Sequence, residues 1–188
     1  MVKSPYLLLI PCGLMLGLLT ACPQLSSILA PSKLSGPITG TGPVPTTPPD
    51  ASQVQMLAAV NTARSVGRTC GGTLYPAAPA LGWNSSLAKA ATLHSQDMAA
   101  RDYFAHQTPE GGTFDTRISA QGYTWSVAGE NIAVGYSTLE AVVQGWLVSP
   151  SHCQNLMSPE FREVGMGSDT RAGSKYGVYW TQDFAAPR

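Results

Sequence analysis

Residues 129–153 read GENIAVGYSTLEAVVQGWLVSPSHC. In the first part Ile132 and Val134 alternate with smaller residues, which predicts a short strand over Glu130 to Val134. The period then changes. Ser137 with Glu140 has the form of a capping box, and Leu139, Val142, Val143, Trp146 and Leu147 recur at helical spacing, so a helix buries that stripe. Ser149-Pro150 stops it, because a proline ring disfavours helical backbone at the residue before it. Downstream, Glu163 to Gly167 and Tyr176 to Phe184 read as strands, the second with Tyr176, Val178, Trp180 and Phe184 on one face. Upstream, Asp50 with Gln53 opens a first helix that turns Val54, Leu57, Ala58 and Asn61 to one side and ends at Gly67. Residues 68–82 read as a loop. Asn84 caps a second helix that runs to about Asp102, with Leu87, Ala91, His94 and Met98 on one stripe. Residues 103–129 read as loop with a short helix near Asp115 to Gln121. Helices and strands are mixed without regular alternation, so the class is α+β, helices covering a small sheet.

The first fifty residues have a different character. One charge, Lys3, precedes an apolar run from Tyr6 to Ala21, and the run closes on Leu19-Thr20-Ala21-Cys22. A charged start, an apolar middle and a small-residue exit form a secretory signal over residues 1–21. Its ending resembles the lipobox of bacterial lipoproteins, where the cysteine is lipidated and becomes the new N-terminus. That makes Cys22 the membrane anchor and the mature chain an exported lipoprotein of the cell envelope. The alternative is plain cleavage after Ala21, with Cys22 left as an exposed thiol. Residues 22–50 carry Pro23, Pro31, Pro37, Pro43, Pro45, Pro48 and Pro49 among Ser, Thr and Gly. Such a segment cannot bury enough apolar surface to offset its ordering entropy, so it reads as a disordered, semi-rigid tether. Residues 51–188 are long enough for one domain with its own core.

The chain has four cysteines. Cys12 leaves with the signal and Cys22 carries the lipid. Cys70 and Cys153 remain, most simply as a disulfide in an oxidising compartment, with two buried thiols as the alternative. Eleven basic residues balance eleven acidic ones. No basic stripe marks a nucleic-acid surface, and no polybasic patch assists membrane attachment, so the lipid must supply it.

No compact catalytic signature is present: no Gly-x-Ser-x-Gly elbow, Walker loop, His-Glu-x-x-His or dinucleotide fingerprint. The histidines and a few acids are what could carry chemistry. His94, on an apolar helical stripe, reads as a hydrogen-bonded core residue, with Asp97 available as its partner or left to solvent. His106 follows Tyr103-Phe104 at a helix exit, where a loop side chain is free to point into a cleft. Glu130 opens an apolar strand directly after Gly129, either as a surface residue or aimed at a polar partner. His152 sits beside Cys153 and is held rigid if that cysteine is bonded. Two histidines and a glutamate are a legitimate ligand set for a divalent ion, zinc or magnesium, though their spacing in sequence does not select it.

The motifs also occur in the order of a known family. Asn61-x-x-Arg64, Leu81-x-Trp83, His94-Ser95-Gln96-Asp97-Met98 and Tyr103-Phe104-x-His106 come first. Arg117 with Gly122-Tyr123, Gly129-Glu130-Asn131-Ile132 and Trp146-x-x-Ser149-Pro150-x-His152 follow. Val164-Gly165-x-Gly167 and Tyr179-Trp180-x-Gln182-x-Phe184 close the set. From Val54 to Phe184 the chain resembles the CAP domain of cysteine-rich secretory proteins, antigen 5 and pathogenesis-related proteins, in its bacterial extracellular branch. The resemblance implies a three-layer α-β-α sandwich with a central cleft, where His106, Glu130 and His152 face one another. Many animal members place a second Glu at the position of Ser149, so here the ion site lacks one carboxylate and one coordination position falls to water. Three functions remain open. The first is a non-enzymatic envelope binding protein for a lipidic, glycan or protein ligand, with a cleft able to hold a cation. The second is a hydrolase of peptides or cell-wall material, using His152 with Ser149 or Ser151, or a metal-activated water. The third is a structural protein with a vestigial cleft. The first is the expectation, with no residue assigned to catalysis.

Overall fold

The structure, a computed structural model, describes residues 48–188. The expected signal over residues 1–21, the expected lipidation site Cys22 and the tether as far as residue 47 lie outside the described residues.

Helix α1, Ala51–Arg64, opens on the predicted capping box: the Asp50 carboxylate accepts from Gln53 N while the Gln53 side chain accepts from Asp50 N. It ends at Arg64, three residues before Gly67. Its buried face is Val60, Ala63 and Arg64, whereas Val54 is exposed. The expected face was therefore displaced around the helix, because α1 packs through its C-terminal half. The expected loop over residues 68–82 contains two antiparallel strands, β1, Arg68–Cys70, and β2, Thr73–Tyr75, and ends in β3, Gly82–Trp83. These strands are two or three residues long, below the length at which periodicity can show.

Helix α2, Ser85–Arg101, is capped by Asn84, whose side chain accepts from Ser86 N and Leu87 N, and ends at Asp102 in the left-handed conformation. Leu87, Ala91, His94 and Met98 are all buried, as the stripe predicts. Helix α3, Phe114–Ala120, and strand β4, Trp125–Val134, follow. Strand β4 begins five residues before the predicted Glu130, since Trp125 to Gly129 pair with β6 despite lacking alternation. The next helix, α4, Leu139–Val148, is capped by Thr138, whose hydroxyl accepts from Ala141 N, not by Ser137. Ser149 ends α4, but Pro150 starts another helix, α5, Pro150–Met157, at the first position where its missing N–H costs nothing. Strands β5, Glu163–Thr170, and β6, Val178–Pro187, complete the chain.

The main sheet has the order β3-β5-β6-β4, with β3 parallel to β5 and the other pairs antiparallel. Its two faces are both covered. On one, Val164, Met166, Trp180 and Phe184 join Val60 of α1, Val142, Val143 and Trp146 of α4, and Leu156 of α5. On the other, Tyr179 and Ala185 pack with Leu87, Ala90 and Met98 of α2 and Ile118 of α3. This is the expected α-β-α sandwich. Strand β6 is buried on both faces, which is why its one-sided alternation described only half of it. The disulfide Cys70–Cys153, with Cα atoms 5.5 Å apart, ties β1 to α5.

Candidate functional site

Strand β4 is an edge of the sheet. The site is built around that edge from both outer layers. The loop leaving α2 brings His106 from one side, and the first turn of α5 brings His152 from the other.

Glu130 sits on β4 with its side chain wholly buried, and two donors meet its two oxygens. His106 Nδ1 lies 2.7 Å from Oε1, and Arg117 Nη2, from α3, lies 2.5 Å from Oε2. A buried carboxylate is tolerated only when it is paired and hydrogen-bonded in this way. Arg117 also donates to the carbonyl of His106 at 2.9 Å and of Gly112 at 3.2 Å. One guanidinium therefore neutralises Glu130 and fixes the loop that carries His106. With Nδ1–H donated to Glu130, the His106 ring keeps a lone pair on Nε2. Its side chain is 52 % exposed, so that lone pair is accessible.

His94 is buried and supports the same loop: Nε2–H donates to Ala105 O at 3.0 Å. It is a core residue, as expected. Asp97 is not its hydrogen-bond partner; Asp97 accepts from Arg101 and from the Tyr103 hydroxyl. Burial lowers the His94 pKa below 6.5 against the opposing attraction of Glu130.

His152 is held by an amide network. Asn131 Nδ2 donates to His152 O at 3.2 Å and to Gln182 Oε1 at 3.1 Å. Asn155 Nδ2 donates to Asn131 Oδ1 at 3.0 Å and to Glu130 O at 3.1 Å. With the adjacent disulfide, this ties the first turn of α5 to the edge strand. The His152 pKa lies below 6.5, first through burial and second through the charge of His106. Ser149, the junction of α4 and α5, lines a pocket with His152. Among the described residues, no three His, Cys, Asp or Glu side chains are gathered as a ligand set for an ion.

Two participants escaped the reading of the sequence. Arg117 was legible only as part of a motif, since nothing in its spacing from Glu130 links them. Asp183 was missed altogether. It stands opposite Glu130 in the β4–β6 register, fully buried, and neither oxygen has a hydrogen-bond partner. Burial, then the charge of Glu130, pushes its pKa well above the ordinary 3.8. Burial beside Glu130 thus favours the neutral form of Asp183. A lone acid in a strand otherwise free of charge was the available signal.

Comparison with known proteins settles the lineage. The family model described as CAP, the cysteine-rich secretory protein family, matches residues 57–184. The chain belongs to the CAP family. Over 101 residues it is 38 % identical to YkwD of Bacillus subtilis (strain 168), covering 54 % of this chain and 37 % of that one. Over 104 residues it is 34 % identical to the membrane protein YlbC of the same organism, covering 55 % and 28 %. The matched part thus spans about a third of these relatives' length. A solved extracellular protein from Bacillus anthracis str. Ames that contains an SCP domain superposes with TM-score 0.58 at 30 % identity, over 77 % of this chain and 45 % of that one. An outer surface protein of Borrelia burgdorferi shares the fold at 22 % identity, with TM-score 0.54 over 59 % of this chain and 80 % of its own. The CAP domain accounts for the sandwich and for the ordered motifs.

Proposed function

We propose that this CAP domain is a non-enzymatic binding protein of the bacterial cell envelope, exported, anchored by lipid on Cys22, and directed at a lipidic ligand. The observation that carries the reading is a cavity of about 570 Å³ between α1 and α4. Its walls are apolar at Ala58, Ala59, Ala63, Leu139 and Val143 and polar at Gln55, Thr62, Gln144, Arg68 and Glu140. That volume is of ligand size; the apolar side chains suit an acyl chain, and the polar ones, Arg68 and Glu140 among them, suit its polar head. Export is supported by the extracellular relative from Bacillus anthracis. Hydrolysis is disfavoured by the cleft itself. Both Glu130 oxygens are engaged, and among the described residues neither imidazole is hydrogen-bonded to a serine.

A fluorescent long-chain fatty acid should bind the mature chain saturably. Ala59→Trp, which fills the trough, should weaken it at least tenfold. A wild-type protein that binds no such lipid, or a variant that binds it unchanged, overturns the lipid reading.

The cation is a second element of the proposal. The donors open to an ion are the His106 and His152 imidazoles and the Ser149 hydroxyl, with Glu130 orienting His106 from behind. Imidazole favours zinc over magnesium. Binding should be weak, lost to a chelator, and weaker below about pH 6, where imidazole protonates. Calorimetry should show tighter zinc binding for Ser149→Glu and none for the His106→Ala, His152→Ala double variant. Equal heats for wild type and double variant would exclude the ion.

A further inference from the structure

A second cavity, of about 260 Å³, lies against the edge strand beside His152. Its lining comes from four places: Phe104 after α2, β4 with Ile132 to Val134, Tyr136 in the turn that follows, and α4 with Ser149 and His152 beyond it. Three observations define what it takes.

The first concerns exposed rings. Among the described residues seven large apolar side chains are exposed, and the two aromatic ones, Phe104 at 42 % and Tyr136 at 36 %, both line this cavity. Neither ring lies loose. Phe104 packs against Tyr176 with centroids 6.0 Å apart. Tyr136 lies over α4 at Gly145, where any Cβ would overlap its ring. The glycine is what lets a ring lie flat on the helix backbone. Fixed, half-exposed aromatic faces are inexpensive binding surfaces, because little side-chain entropy is lost when a ligand covers them.

The second concerns charge. The nine lining residues include no Asp, Glu, Lys or Arg. An ionic ligand would find no counter-charge, and burial of an unpaired ion is costly. The polar groups on offer are the Tyr136 and Ser149 hydroxyls and the His152 imidazole. The third concerns size. The cavity falls just below the usual range of about 300–1,000 Å³ for a whole small-molecule ligand, so it seats one ring and not a chain. The lipid cavity between α1 and α4 is lined by a separate set of residues.

We propose that this cavity binds one neutral pyranose ring of a glycan, an N-acetylated hexosamine, against Phe104 and Tyr136. The apolar face of the sugar covers the rings. Its hydroxyls meet Ser149, His152 and the Tyr136 hydroxyl, and the acetyl methyl meets Ile132, Val134 or Trp146 at the apolar floor. An acetylated amino sugar fits where a free amine does not, since the amine brings a positive charge that nothing in the lining balances. The site goes beyond lipid binding and shares only Ser149 and His152 with the ion donors.

The test titrates the mature full chain, treated with chelator, with the trisaccharide of N-acetylglucosamine, reading the fluorescence of Trp146 and its neighbours and, in parallel, calorimetric heat. Saturable binding is expected. Phe104→Ala and Tyr136→Ala should each weaken it about tenfold. Gly145→Ala, which keeps both rings but lifts Tyr136 off the helix, should weaken it similarly. Fatty-acid binding should be unchanged in all three, so failure of one activity is distinguishable from failure of the other. No saturation by the trisaccharide overturns the proposal. So does equal binding of the de-acetylated glucosamine trisaccharide, tighter binding of p-cresol as a plain aromatic ring, or wild-type affinity in all three variants.

Discussion

At the scale of single residues, Glu130 and Asp183 are two cross-strand carboxyl groups with unequal hydrogen-bond partners. Glu130 has Arg117 and His106 as donors, while Asp183, its cross-strand neighbour, has no donor and is buried completely. Like charges this close do not both ionise, and the one without donors keeps its proton. Asp183→Asn puts a neutral amide there, without a group that must stay protonated. The native pKa of Asp183 is raised, so its contribution to stability is full below about 3.8 and is lost as pH rises through the native value. The variant should match wild type in acid and exceed it at neutral pH, because only wild type must there hold a proton that the unfolded chain gives up. Urea denaturation at two pH values checks this; a neutral-pH loss would show that Asp183 is ionised and paired. Glu130→Gln should do the reverse. It leaves the guanidinium of Arg117, only 13 % exposed, without its carboxylate, and breaking such a pair costs about 3–5 kcal/mol. His94 and His152 titrate in the opposite sense to Asp183. Their native pKa values are lowered, so the stability they contribute is present above about 6.5 and is lost as pH falls through the native values. His152→Gln should flatten the acid side of the stability curve, and an unchanged curve would contradict the burial seen here.

At the scale of elements, α2 rests directly on the backbone of β5. A Cβ on Gly165 would overlap the backbone at Leu87–Ala88, and one on Gly167 would overlap Thr92. Because the obstacle is a helix backbone and not the end of a flexible side chain, relief requires the helix to move. Gly165→Ala should therefore destabilise by about 3 kcal/mol, the upper part of the overpacking range. Gly82→Ala, whose Cβ would meet nothing closer than 3.9 Å, should be close to neutral by the same melt. The disulfide is the other element-level device. Cys70 and Cys153 are 83 residues apart in the chain, and the chain-entropy model assigns about 4–5 kcal/mol to closing such a loop, an upper figure. Cys70→Ser with Cys153→Ser should lower stability within that limit. It should also weaken ligand binding at the cleft, because the bond ties the turn that presents His152. Equal sugar or zinc binding by the reduced protein would show that the amide network of Asn131 and Asn155 suffices.

At the scale of the whole molecule, two outer layers reach around one free sheet edge, and the site lies where they meet. The α2 side supplies His106, and the α5 side supplies His152. Neither layer holds the site alone. The proposed anchor belongs to this scale too. It predicts that Cys22→Ala yields protein that no longer partitions with membranes, while the CAP domain keeps its melting temperature. Mass spectrometry showing an unmodified N-terminus at another residue would refute lipidation.

The legible part of this chain was local. The Asp50 capping box, the α2 stripe and the α4 stripe follow from side-chain spacing along one helix, and four of the five helices among the described residues could be read. The α+β class followed from the order of elements, and the disulfide followed from counting cysteines in an exported chain. What escaped was non-local or too short. The strands of β1, β2 and β3 have too few residues for a period. Pro150 reads equally as a stop and as a first helical residue, and only packing of α5 against β4 decides between them. Of the neighbours of Glu130, the resemblance named His106, but the other two could not be read. Arg117 and Asp183 reach it through a loop contact and a strand register, and register is set by the burial of both faces of β6. Residue types suitable for the site were present in the sequence, but the pairing of Glu130 with His106 and Arg117 is a property of the folded edge.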